Sequence, residues 1–471
     1  MPFRPMCSIE TLGPEFYDPV VPAEFPQHII RYRNQHWANA IGLGDFDDAQ
    51  WIDHFGRFQP LPGSLPQPLA LRYHGHQFRQ YNPDIGDGRG FLFAQMLGPD
   101  QRLMDLGTKG SGRTPHSRFG DGRLTLKGGV REVLATEMLA ALGVNTSKTF
   151  SLIETGEALQ RGDEPSPTRS AVLVRLSHSH IRYGTFQRLA NLNDNTSMER
   201  LVDYVMINLA DQPHHKTLTD KVSALMAFAV DGAATLAASY MAAGFVHGVL
   251  NTDNINITAE SFDYGPYRFA PTYDPDFTAA YFDHGGLYAY GRQAEALHWN
   301  IYQLAKSLLI LVDQAVLVPA LETFPDHYEK AYAKAVHDRL GVQPELDHGL
   351  NMKRLDVIET ALANSQCRLD KFYHDFYGGP LTLNSGTDNV YKSQIFDEVK
   401  AMLNKAEPTP TAMQNLKKPY FQCSKPCGLQ IGEIESIWSA IESRDDWLLF
   451  EDKLHSIRLM AAAYQHNPID L

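Results

Sequence analysis

The sequence is poor in cysteine. Its 471 residues hold four, Cys7, Cys367, Cys423 and Cys427, which excludes a disulfide-stapled scaffold and fits a reducing compartment. The one close pair, in "CSKPC", has no second pair beside it, so it reads as two separate thiols rather than a metal or redox centre. A long unbroken apolar run is also missing. Residues 307–321, "SLLILVDQAVLVPAL", carry Asp313 and Gln314 and are too short and too polar to span a bilayer. The opening "MPFRPMCSIETLGPEF" lacks the apolar stretch of a signal peptide and is broken by proline, so a cytoplasmic protein is expected. Positive charge is scarce: 42 Lys and Arg face 55 Asp and Glu, a formal net charge of −13. That argues against a nucleic-acid or anionic-membrane partner. Any phosphate must be held by local Lys and Arg, not by the overall field. No repeat at solenoid spacing is present.

The composition that remains suits a globular protein. Hydrophobic residues make up 43% and charged residues 21%, and the length allows two or three lobes. Residues 1–70, rich in proline, aromatics and glycine, read as an extension of irregular cover with short helices packing on the core, and "PGSLPQP" as the link into the next unit. Residues 71–190 read as β-rich with one helix. Short apolar runs and turns predict strand, turn, strand over 85–110, and 172–176 is a buried strand. Apolar residues at 130, 133, 134, 138, 139 and 142 predict a helix stopped by Gly143. Residues 191–320 turn helical, with long helices over 221–243, ending at Gly244, and over 299–312. Residues 321–471 alternate helical patterns with polar loops, one of them at 378–389. A small β-rich lobe followed by a large helical lobe predicts an α+β, protein-kinase-like bilobal fold with extensions at both ends.

The chemistry-bearing residues fall in that frame. Residues 247–254 read "HGVLNTDN". A kinase catalytic loop is written H-R-D-L-x-x-x-N; here Asn254 is in place, Val249 stands where the base belongs, and a carboxylate appears instead at Asp253. Nine residues after Asn254 comes "DYG" with Asp263, in the manner of the metal-holding D-F-G. Asn, Asp and phosphate oxygens together form a hard-cation ligand set. Upstream, Gly86, Gly88 and Gly90 in "GDGRG" offer bare backbone N–H groups to phosphates, with Arg89 among them; the plainer reading is a tight turn. Lys109 ends a strand and Glu132 lies on the outward-facing side of the first helix, either a phosphate-contacting pair or a surface lysine and a solvated helix face. A second "GDGR" brings Asp121 and Gly122, where Asp121 either orients a cation or touches a nucleotide. Arg175 and Arg182 flank "LSHSHI"; Arg175, inside an apolar strand, needs a partner, and a buried salt bridge is the plainer account.

Together these segments resemble selenoprotein O, a family of kinase-like protein adenylyltransferases. "GDGRG", "KGSGRTPHSRFGDGR", "VREVLATEMLAALGV", "AVLVRLSHSHIRYGTF", "GFVHGVLNTDN" and "DYGPYRFAPTYDPDF" occur in the family's order, and the likeness thins after about residue 310. The resemblance implies a kinase-like fold that binds ATP flipped, so that the α-phosphate faces the acceptor. AMP would pass to Ser, Thr or Tyr hydroxyls of proteins, and pyrophosphate would leave. It implies that Gly86, Gly88, Arg89, Asp121, Gly122, Arg175 and Arg182 belong to the nucleotide site and that Lys109 contacts phosphates and pairs with Glu132. Asn254 and Asp263 would hold Mg²⁺, with Mn²⁺ acceptable to the same oxygens, Asp263 also lying near ATP; Asp253 would be the base. The alternatives are an ATP-dependent kinase, opposed by Val249, and a non-catalytic nucleotide-binding pseudokinase, opposed by the complete set of Lys109, Asp253, Asn254 and Asp263. Members of the family often carry a Cys or selenocysteine near the C-terminus, bridging to a Cys after D-Y-G. Here the last Cys is Cys427 and "PTYDPDFTAAYFDHGG" has none, so that redox switch is expected to be absent.

Overall fold

The computed structural model of the chain describes residues 2–162, 164–212, 214–380 and 389–465. Most of the loop expected at 378–389 therefore lies outside the described residues. The chain builds an antiparallel sheet of nine strands in the order β2-β4-β7-β8-β11-β10-β3, with β1 paired to β7 and β9 to β11. The strands are β1 (Pro5–Met6), β2 (Tyr17–Pro19), β3 (Ile29–Arg33), β4 (Leu69–Leu71), β7 (Leu92–Leu97), β8 (Leu103–Lys109), β9 (Leu124–Thr125), β10 (Lys148–Leu159) and β11 (Thr168–Ser177). A separate hairpin, β5 (Gly75–Gln77) with β6 (Gln80–Asn82), stands apart from this sheet.

β7 and β8 are apolar on both sides because both faces of the sheet are covered. Every residue of β8 is buried. On one face, Leu92, Leu103, Leu152 and Leu173 pack against α3 (Leu126–Ala141). On the other, Phe93, Met104, Leu106, Phe150 and Val174 meet an aromatic cluster from the N-terminal 60 residues, with Trp37, Trp51, Phe55 and Phe58 at its centre. That cluster hangs on α1 (Gln35–Ala40) and α2 (Asp48–Phe55). The N-terminal segment is thus more ordered than the irregular cover expected. It donates β1, β2 and β3 to the sheet and seals its outer face.

The helical part begins with α4 (Tyr183–Asn191) and α5 (Asn195–Asn208) and centres on α6 (Leu218–Ala243). Among the described residues α6 is the one helix long and apolar enough to cross a membrane by length and composition. Its apolar side chains from Val222 to Ala243 are instead packed against α5, α7 (Gln293–Leu308), α8 (Gln314–Glu322) and α9 (Phe324–Leu340), while Ser223, Ala227, Asp231 and Thr235 form one exposed stripe. Gly244 caps it in the left-handed region at φ 66°. A short ribbon, β12 (Phe245–Val246) with β13 (Arg268–Phe269), then brackets the loop that carries Asp253 and Asp263. Beyond lie α10 (His348–Ala363), α11 (Leu369–Asp375), α12 (Asp397–Leu403), α13 (Pro410–Asn415), α14 (Pro419–Gln422), α15 (Ile431–Arg444) and α16 (Leu448–Tyr464). The last two return to the sheet end of the molecule and pack on α3. The α+β architecture is consistent with the bilobal, kinase-like fold that the sequence predicts.

Candidate active site

The cleft lies where the sheet meets the helical part. Tyr73, Asp87, Gly88, Arg89, Gly90, Phe91, Thr108, Lys109, Arg175, His180, Arg182 and Asp263 line it. Its roof is the turn 86–90. A Cβ at Gly90 would lie 2.0 Å from the Thr108 carbonyl oxygen, so only glycine lets this turn rest on β8. The 110–123 loop braces the turn: the Thr114 and Ser117 hydroxyls donate to the Asp87 and Gly88 carbonyls.

Lys109 is the last residue of β8, opposite Leu173 of β11, and its ammonium enters the cleft. It pairs with Glu132 of α3 and, at 2.6 Å, with Oδ1 of Asp263. Glu132 is 3% exposed. This corrects the outward-facing position read from the helix pattern: Glu132 faces Lys109 of the sheet, not solvent. Asp263 sits at φ 64°. Burial alone would raise its pKa, but Lys109, Arg89 and Arg175 outweigh that and hold the carboxyl well below its ordinary range. Arg89 stands 3.9 Å from the same carboxylate and is half exposed.

Arg175 and Arg182 flank one ring. Their guanidinium carbons lie 4.8 and 4.9 Å from the centre of Phe262. Arg182 also covers Tyr73 at 4.4 Å, pairs with Asp87 at 3.1 Å and donates to the Asp253 carbonyl at 3.1 Å. Arg175 has no carboxylate within salt-bridge distance among the described residues, so the buried salt bridge considered for it is not what holds it. Its Nε points at His180 Nε2 at 3.4 Å. His180 Nδ1 in turn meets Asp105 at 3.1 Å. Burial lowers the His180 pKa, and the neutral ring bonds the carboxylate on one side and the arginine on the other.

Asp253 lies on the short turn Thr252–Asn254. Burial raises its pKa to about 6 against the pull of Arg182 and of the loop's own backbone N–H. Its Oδ1 is sealed from solvent and accepts no hydrogen bond from the described residues. The neighbouring Asn254 donates its amide N–H to the Val249 carbonyl at 3.1 Å, which leaves the amide oxygen as the ligand it can offer. His247 is buried and bonds the Phe262 carbonyl at 2.9 Å, tying the loop to the residue before Asp263. Among the described residues no group of three His, Cys, Asp or Glu side chains is placed to hold a metal. Asn254 with Asp263 is a set of a different kind, one amide and one carboxylate, and fits a hard cation only if phosphate oxygens complete it.

Gly86 is bridged to Arg72, and neither it nor Glu132, Asp253, Asn254, Asp121 or Gly122 is among the residues that line the cleft. Asp121 binds Arg161 at 2.8 Å and the Arg123 N–H at 3.0 Å, so it orients a cation and fixes the loop that braces the glycine turn. Sequence reasoning passed over Asp87, His180, Tyr73 and Phe262. Asp87 sat inside the quoted "GDGRG", and His180 two residues before Arg182. The other two carry no local signal, because aromatics beside a cleft look like core. Cys423 is exposed and Cys427 buried, and none of the four cysteines forms a disulfide.

A glycine turn over a strand lysine, with a helix glutamate and the D-Y-G aspartate both bound to that lysine, is the arrangement of a kinase-like enzyme. The comparisons with known proteins narrow that class. The family described as protein adenylyltransferase SelO matches residues 3–458. Proteins named protein nucleotidyltransferase YdiU are similar over nearly the full length. That of Synechocystis sp. is 41% identical over 96% of this chain and 97% of its own. That of Gloeobacter violaceus is 43% identical over 95% and 93%, and that of Trichodesmium erythraeum 44% over 96% and 97%. The chain belongs to the SelO family of protein adenylyltransferases. It is a nucleotidyltransferase, with ATP and proteins as its substrates.

Proposed function

We propose that the enzyme transfers AMP from ATP to a Ser, Thr or Tyr hydroxyl of a protein, with Asp253 as the base. The observation that carries this reading is the Asp253 carboxylate: buried, one oxygen unpartnered, beside Asn254, in a loop whose usual base position is Val249. The acceptor oxygen forms a bond to the α-phosphorus as the bond from that phosphorus to the β-phosphate bridging oxygen breaks. Pyrophosphate leaves and the acceptor proton passes to Asp253. A carboxylate whose pKa is near 6 is ionised at neutral pH yet basic enough to take that proton. Lys109, Arg89, Arg175 and Arg182 supply cations to the phosphates, with Gly86, Gly88 and Gly90 giving room for close approach. Asp121 and Gly122 act on the nucleotide through the bracing loop. Asn254 and Asp263 would hold Mg²⁺, or Mn²⁺ by the same oxygen chemistry, and the cation would supply neutralisation of the triphosphate. A reducing, cytoplasmic setting agrees with four cysteines and no disulfide. The acidic chain disfavours a nucleic-acid or membrane partner.

The test uses ATP labelled at the α- or the γ-phosphate, with Mg²⁺, a mixed protein substrate and the Asp263→Ala variant as control. Protein-bound label from the α position only, lost in the variant, is expected. Label from the γ position only makes the enzyme a kinase and removes Asp253 from its role. Asp253→Ala is expected to cut turnover at least 100-fold, a typical general-base contribution of about 10²–10⁴, with ATP binding retained.

A further inference from the structure

The catalytic loop is gripped by a hairpin that the proposed chemistry does not use. In the β5–β6 hairpin, Gly75 lies opposite Asn82 and Gln77 opposite Gln80, which leaves Phe78 and Arg79 as a two-residue turn. Both have positive φ, 48° and 63°. This is the turn geometry that Asn and Gly favour, and bulky residues keep it only where their surroundings enforce it. Here the surroundings are the catalytic loop and its supports. The Phe78 N–H donates to Asn251 Oδ1 at 3.0 Å, an oxygen that also accepts from the Tyr288 hydroxyl at 2.8 Å. The Phe78 ring packs edge-on against Tyr288. Arg79 lies over Trp299 and pairs with Glu295.

Further down the strand the grip closes into a ring. The His76 N–H donates to Thr252 Oγ1 at 2.7 Å, and that hydroxyl donates to Gln187 Oε1 at 2.6 Å. Gln187 Nε2 donates back to His76 Nδ1 at 2.7 Å. At Gly75 the contact is steric. A Cβ there would lie 2.8 Å from Asp253 Oδ1 and 3.0 Å from Asp253 Cβ. A third contact, Ile85 Cδ1 at 3.0 Å, closes the other side, so a side chain at 75 turns the Asp253 carboxylate aside and shifts the residue by a few tenths of an ångström. Three consecutive loop residues, Asn251, Thr252 and Asp253, are therefore met in reverse order by Phe78, His76 and Gly75.

We propose that the hairpin 75–82 is the positioning clamp of the base, with Gly75 the residue whose missing side chain sets where the Asp253 carboxylate stands. The inference rests on the reading of Asp253 as base. None of the hairpin residues lines the nucleotide cleft, so the clamp acts on turnover and not on ATP affinity. A displacement of about 1 Å in a reacting group costs on the order of 10²-fold in rate, and the shift of a few tenths of an ångström at Asp253 costs a part of that.

The test uses the full chain with Gly75→Ala, Thr252→Val, Thr252→Ser and Asp253→Ala. It measures kcat for AMP transfer at saturating ATP, the Kd for ATP with Mg²⁺, and Tm. Gly75→Ala and Thr252→Val are each expected to lower kcat about 10-fold, with the Kd within about twofold of the parent. Thr252→Ser, which keeps the hydroxyl, restores most of the kcat. If Gly75→Ala turns over like the parent while Asp253→Ala is inactive, the clamp is wrong and the base stands. If kcat, ATP affinity and Tm fall together in Gly75→Ala and in both Thr252 variants, the hairpin is merely structural and the proposal is overturned. If Asp253→Ala itself keeps the parent's kcat, the base assignment fails and the clamp with it.

Discussion

Asp263 and Lys109 divide the electrostatic work unequally. Lys109 has two carboxylates, Glu132 and Asp263, while each carboxylate relies chiefly on Lys109. Removing a carboxylate leaves the lysine a partner. Removing the lysine strands the buried Glu132, while Asp263 keeps Arg89 and Arg175, and breaking a buried pair from one side costs about 3–5 kcal/mol. Asp263→Asn is therefore expected to fold with near-parent stability and to lose the Mg²⁺ dependence of ATP binding, seen by calorimetry with and without the metal. Lys109→Met is expected to lose several kcal/mol in urea denaturation as well as activity. Lys109 and Asp263 could be picked out in the sequence, one at a strand end and the other in D-Y-G after H-x₆-N, and the structure brings the two side chains together. The direction of Glu132 was not legible there. A helix pattern separates the apolar stripe from the rest, and it cannot tell a side chain turned to water from one turned to a buried partner.

At the level of elements, α6 places the catalytic loop. Its C-cap, Gly244, holds φ 66° and hands the chain directly to β12. A Cβ there would stand 3.0 Å from Leu369 Cδ1. Gly244→Ala is expected to cost about 1–2 kcal/mol from the left-handed backbone alone, read as a lower urea midpoint with an unchanged slope. The helices were readable in outline because α3 and α6 keep their apolar period and their stop glycines. The strands of the N-terminal segment were not, since β1 and β2 span two and three residues and exist only by pairing with β7 and β4. The β5–β6 hairpin was equally hidden: its turn is Phe-Arg, without the Gly or Asn that signals such a turn in a sequence.

Across the whole molecule, α15 and α16 tie the end of the chain to the sheet. Asp445 bonds Arg169 at 2.7 Å and Arg31 at 3.0 Å, and Trp447 stacks under Arg31. Burial opposes ionisation of Asp445, but hydrogen bonds from Arg169 and Trp447 and the charge of Arg31 outweigh it and bring the pKa down to about 2. A carboxylate depressed in the folded state stabilises it above the unfolded pKa, about 3.9, and loses that contribution as the pH falls through the folded value. The stability gap between the parent and Asp445→Asn is expected to be present at pH 5 and to shrink between about pH 4 and pH 2, tracked by thermal unfolding. The gap is modest, because the carboxylate is half exposed and screened. This closure was invisible in the sequence, since contacts between residues 31 and 445 leave no periodicity behind.

The charges of the cleft have a kinetic consequence. Arg89, Lys109, Arg175 and Arg182 line it with only Asp87 and Asp263 against them, four positive charges to two negative, while the protein as a whole carries −13. A triphosphate approaching from solution meets repulsion at long range and attraction only at short range, inside the cleft. Added salt shortens the reach of the repulsion to about 8 Å at physiological ionic strength and weakens the buried pairs much less. Stopped-flow association of ATP at fixed free Mg²⁺ should therefore quicken as salt is added, the reverse of an enzyme that draws its anionic substrate in.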